Sequence, residues 1–150
     1  MQGFRFTFLA APLALATREA CGTQQRSAAE PVPPHASAEV LLHTRETILG
    51  EPIAYPAGSP AEVTIAIVTL EPGASTGWHT HAVPLAAYLL EGELVVTYEG
   101  HGERTYRAGD ALVEAMGTVH DGRNLGQETV RILAVFAGAE GLPNSEAVAR

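Results

Sequence analysis

The chain has 150 residues, is 46% hydrophobic and carries a formal net charge of −8. That length suits one domain with a packed core. Every basic residue is an Arg, which excludes a Schiff-base lysine, and the acidic balance argues against nucleic acid or an anionic membrane surface as partner.

In chain order, the first element is the apolar run Phe6 to Ala16, which follows Arg5. It is too short to span a bilayer and reads as the core of a signal peptide over residues 1–21, with a small-x-small cleavage site at Ala14-Leu15-Ala16. Cys21, the sole cysteine, offers a second reading as a lipoprotein acylation site. Arg18 and Glu19 weigh against it, because such signals carry apolar or small residues there. Both readings place the protein outside the cytoplasm, periplasmic or otherwise exported, with or without a lipid anchor. A short amphipathic helix kept in the cytoplasm is the third.

Residues 22–37 are rich in Gln, Ala, Ser and Pro and read as a flexible linker. The folded domain is expected over 38–141, with 142–150 as a frayed tail. Within it the segments are short, apolar and rich in β-branched residues. Strands are expected at Val63 to Leu70, Leu85 to Leu90, Glu93 to Tyr98, Arg104 to Tyr106, Ala111 to Glu114 and Val130 to Phe136. A weaker one falls at Val40 to Thr44, an edge suited to pairing with a second copy in a homodimer. Gly, Pro and Asn punctuate these runs at the spacing of a β-sandwich or barrel, and no helical periodicity is sustained.

Three of the six histidines stand out. His79 and His81 flank Thr80, and alternate side chains of a strand share a face, so both imidazoles aim at one point. His120 reaches the same region from a later strand or loop. Three neutral imidazoles with open positions suit Fe(II), Ni(II), Cu(II), Mn(II) or Zn(II). No G-x-S-x-G, P-loop or C-x-x-C is present, and only Asp110 and Asp121 are available to a Ser-His-Asp hydrolase.

The surroundings of the histidines form two ordered motifs. Gly73, His79, His81 and Gly92 stand in the register Gly-x5-His-x-His-x3-x-x6-Gly. Gly109, Gly117, His120 and Asn124 stand in the register Gly-x5-x-x-Gly-x2-His-x3-Asn. Together they resemble the two motifs of the cupin superfamily over roughly 62–136. The resemblance implies a single-domain, all-β jelly-roll barrel with one metal on His79, His81 and His120.

Two positions depart from the pattern. The motif's Glu is Leu85, which cannot bind a metal, and the Pro of the second motif is Ala115. The resemblance then implies a three-histidine site with one more open position, similar to three-histidine cupin dioxygenases, with Fe(II) the first metal to test. Glu114 is a candidate replacement carboxylate, as fourth ligand or general base: it shares a strand face with Leu112, and faces the interior if Leu112 does. If Val113 faces inward instead, Glu114 is solvated. Leu85 and Ala87 are expected as pocket walls near the metal, and Met116 at the pocket mouth. Asp121 should point away from the metal, and Asn124 should satisfy backbone groups in a turn.

The function the resemblance implies is a metal-dependent enzyme that activates a small organic molecule with dioxygen, ring or carbon–carbon cleavage being the reaction first to test. Two other readings stand beside it. One is a non-catalytic exported module that holds a metal or small ligand, which the loss of the motif's Glu favours. The other is a metal-free isomerase or structural cupin.

Overall fold

The computed structural model describes residues 37–150. The signal peptide, Cys21 and nearly all of the linker lie outside the described residues. Among the described residues the chain forms nine strands and no helix, the longer ones built from runs of β-branched and other apolar residues: β1 (Ala61–Leu70), β2 (His79–Thr80), β3 (Leu85–Glu91), β4 (Glu93–Tyr98), β5 (Gly102–Arg107), β6 (Ala111–Val113), β7 (His120–Arg123), β8 (Val130–Ala139) and β9 (Glu146–Ala147). They form two antiparallel sheets, ordered β1-β8-β3-β6 and β5-β4-β7-β2-β9. This is a jelly-roll arrangement, in which facing sheets enclose a core between them.

In the four-stranded sheet, the register sets Val68 opposite Ile132 and Ile132 opposite Leu89. Ala134 lies opposite Ala87, which lies opposite Leu112. Phe136 lies opposite Leu85. These rows face the interior, where Leu89, Ile132, Leu112 and Ala134 are buried. The alternate residues face outward, and they too are apolar: Val63, Ile65 and Ile67 stand 63%, 69% and 47% exposed.

The turn between β3 and β4 depends on Gly92. Its φ is +79°, and a Cβ there would meet the Thr129 carbonyl oxygen at 2.8 Å, so any other residue would be strained and would also collide with backbone. The glycine of the first motif is therefore a packing requirement where two strands turn close to β8.

Two expectations need correction. Val40 to Thr44 is not a strand; the segment makes no ladder, runs along a groove beside β3, β6 and β8, and leaves Val40 and Leu41 largely exposed. Residues 142–150 are not a frayed tail. Ala38–Arg150 is one compact unit, and Glu146 and Ala147 pair with Thr80 and His79 as β9.

Candidate metal centre

The five-stranded sheet builds the centre through its register. Tyr98 on β4 lies opposite His120 on β7, His120 opposite His79 on β2, and His79 opposite Ala147 on β9. One row across the sheet thus carries two of the three histidines. His81, just past β2, is the third, and its backbone N donates to the Met116 carbonyl at 3.0 Å. The ring centroids lie 4.4 Å (His79–His120), 4.9 Å (His79–His81) and 5.1 Å (His81–His120) apart.

Each ring is held from behind. Nδ1 of His79 donates to the Gly77 carbonyl at 2.7 Å, that of His81 to Asn144 at 2.8 Å, and that of His120 to Thr118 at 2.8 Å. A carbonyl only accepts, so each Nδ1 carries the proton and each Nε2 keeps a lone pair. The three ligand nitrogens lie within 4.8 Å of one another. Nε2 of His120 is buried with no hydrogen-bond partner, the single such side-chain atom among the described residues. An orphaned buried acceptor is costly, and a shared cation removes that cost. Burial also pushes all three imidazoles below their ordinary pKa, His81 to about 4, which keeps them in the neutral, ligating form. The residues therefore fit a metal ion.

Glu114 follows β6 and is buried, facing the same interior as Leu112. Its Oε1 accepts hydrogen bonds from Tyr98 Oη at 2.8 Å and from the Ala115 N–H at 2.8 Å. Tyr98 Oη is also 2.9 Å from Tyr106 Oη. Burial raises the Glu114 carboxyl pKa, against the pull of those donors. Burial likewise raises both phenols, Tyr106 to about 12, so neither ionises at neutral pH.

Between the sheets lies a cavity of about 470 Å³. The three histidines, Glu114, Leu85 and Ala87 all line it, so the structure brings these predicted residues together. Met116 does not line it, which corrects the expectation; its carbonyl holds His81 and its N–H donates to Glu51 Oε2 at 2.9 Å. Glu51 also accepts from Thr47 and Thr118, so it braces the loop that leads into His120. Burial pushes the Glu51 carboxyl up, but these donors outweigh it and hold the pKa low.

Asp121 alternates with His120 and points to the other side. There it accepts from Ser75 Oγ at 2.6 Å and pairs with Arg123 at 2.6 Å. Asn124 is fully buried; its Nδ2 donates to the carbonyls of Leu70 and Glu128, and its Oδ1 accepts from the Gly126 N–H.

Sequence reasoning missed Tyr98 and the segment 144–148. Strict alternation of Leu94, Val96 and Tyr98 carried the signal for Tyr98. Ser145 Oγ lies 3.1 Å from His81 Nδ1, Val148 N–H donates to the Trp78 carbonyl at 2.8 Å, and Arg150 stacks 4.0 Å over the Trp78 ring. No motif marks those residues.

The result is a jelly-roll barrel whose histidine trio, open to an apolar cavity, forms a candidate metal-binding site. Residues 66–136 match the cupin-domain family model, and this region is a cupin domain. Comparison with curated protein sequences gives no match. Among solved structures, the chain is similar to the Lactobacillus farciminis oxalate decarboxylase formate complex, at 23% identity and TM-score 0.51, over 57% of this chain and 26% of that one. It is also similar to an oxalate oxidase, at 26% identity and TM-score 0.50, over 57% of this chain and 46% of that one. The matched region thus spans less than half of either protein.

Proposed function

We propose that the protein is a divalent-metal cupin enzyme that binds a small organic molecule at His79, His81 and His120 and activates it, with ring or carbon–carbon cleavage by dioxygen as the reaction class. The observation that carries this is the convergence of three proton-free Nε2 atoms, one of them buried and otherwise unpartnered. A bound divalent transition ion would supply Lewis acidity, a template for two reactants and, for a redox-active ion, electrons.

The chain's own residues do the rest. The carbonyls of Gly77, Asn144 and Thr118 fix the ring orientations. The apolar wall excludes water. Glu114, steadied by Tyr98, is placed to accept a proton from a bound molecule and return it. Leu85, where the motif has a carboxylate, leaves a ligand position free.

The test is metal analysis of the purified protein, followed by oxygen consumption with Fe(II) restored, across diketones, thiols and flavonols. One metal per chain, lost in His79→Ala, with oxygen uptake on one substrate is the expected result. Metal that does not rise on reconstitution and is indifferent to His79→Ala overturns it. Stoichiometric metal without oxygen uptake favours the second reading, a non-catalytic binding module, to which Leu85 points.

We also infer that a second copy covers the outer face of the four-stranded sheet. Val63, Ile65, Ile67, Tyr55 and the segment Val40 to Leu42 stand between 44% and 77% exposed there. An exposed apolar face of this kind, on an otherwise packed sheet, suits contact with another protein surface. Sedimentation should give a dimer that Ile65→Glu converts to a monomer; a monomeric wild type overturns the inference.

A further inference from the structure

The cavity's chemistry is unlike what a small dicarboxylate requires. Its walls are Val68, Leu89, Leu94, Ile132 and Phe136 with their neighbours, and its lining contains no Arg. The chain has no Lys to contribute either. The single carboxylate in the lining is Glu114, whose Oε1 already accepts two donors, while no described residue donates to Oε2. Arg123, Arg131 and Arg107 are engaged on the exterior with Asp121, Glu91 and Glu93. Arg150 sits over Trp78 and pairs with Glu99.

A dianion in this cavity would have one charge met by a metal and the other left among hydrocarbon and beside Glu114. Burying an uncompensated charge is strongly unfavourable. Size points the same way. About 470 Å³ is room for roughly fifteen waters, far more than a two-carbon diacid fills. A volume of that order with apolar walls is typical of pockets for larger organic ligands.

We propose that the site takes a predominantly apolar organic molecule with a single compact head of adjacent oxygens. One oxygen would lie on the histidine-held metal, one hydroxyl would donate to Glu114 Oε2, and the apolar body would fill the space between β3, β8 and β4. This rests on the metal-binding reading above. The substrate class is thus a neutral or singly ionised enol or hydroxyketone, and a dicarboxylate is discriminated against.

Trp78 reports on the site directly, because it is the sole tryptophan and lines the cavity. Protein loaded with Zn(II) is titrated with oxalate, tropolone and 4-isopropyltropolone while Trp78 fluorescence is followed, and metal content is measured after each titration. The expected result is saturable quenching by both tropolones, at least tenfold tighter than oxalate. The isopropyl group should add a further tenfold, because its carbons enter the apolar wall. Ala87→Leu should remove that isopropyl gain and leave Zn(II) stoichiometry unchanged. Should that variant fail to fold, the wild-type comparison of the three ligands decides alone. Tighter binding of oxalate, or no gain from the isopropyl group, overturns the ligand class while leaving the metal site intact. A protein that takes up no Zn(II) overturns the proposed function and this ligand class with it.

Discussion

The two sheets meet at one cavity with different chemistry and different supports. The four-stranded sheet presents Val68, Ile132, Leu89, Ala134 and Phe136, held by packing alone. The five-stranded sheet presents Tyr98, His120 and His79 in a single row, and each of these polar groups has a named partner behind it. Packing tolerates change in proportion to the volume lost, whereas a polar row fails when one partner is removed. Substitutions in the first sheet should therefore change stability and ligand fit. Substitutions in the second should change metal binding out of proportion to stability.

The largest effect is expected from His120→Ala, which should bring metal content to background while the circular dichroism of the barrel persists. Retained stoichiometric metal would break the comparison at its centre. Leu89→Ala, at a site with 0% exposure, should cost about 3 kcal/mol in denaturant unfolding yet leave one metal per folded chain.

Acid should separate the sheets next. The folded pKa of His81 is depressed to about 4, so the unfolded chain binds that proton first as pH falls. Metal-free protein should hold its full stability above the ordinary imidazole range. It should then lose about 2–3 kcal/mol on the way down to pH 4, as read by Tm. His79→Ala/His81→Ala/His120→Ala protein should show a flatter profile; an equally steep one would assign the acid sensitivity elsewhere.

The smallest effect concerns the segment behind His81. Removing residues 144–150 takes away the Asn144 carbonyl and β9, and should weaken Zn(II) binding by about 10–100-fold in competition with a chelator. An unchanged affinity would show that the His81 ring is oriented without that support.

Much of this was legible before the structure. The spacing of His79, His81 and His120 within two glycine-framed motifs pointed to both barrel and centre, because a metal site demands fixed residues at fixed places. The long strands were legible because runs of β-branched and other apolar residues mark β1 and β8, and burial of one face writes a period of two into β4. The composition of Val40 to Thr44 suits a strand, yet the segment runs beside β3, β6 and β8 without joining a ladder, and composition does not distinguish the two outcomes. β9 was invisible, because exposed Glu146 and Ala147 carry no apolar pattern and owe their pairing to β2. The Tyr98–Glu114 bond joins residues from opposite sheets, and only the tertiary arrangement brings them together.

The placement of β9 bears on how the protein is assembled and how it should be divided. The matched stretch 66–136 contains every ligand, yet the strand that flanks His79 and the carbonyl that orients His81 come from residues 144–147. A fragment cut at the family boundary would hold all three imidazoles and lack the support of one. In a chain emerging from its N-terminal end, the supports of His79 and His81 are the last part of the described barrel to appear, so a metal would be loaded after folding. Arg150, which stacks over the Trp78 ring, and β9 beside it tie this last segment to the centre itself.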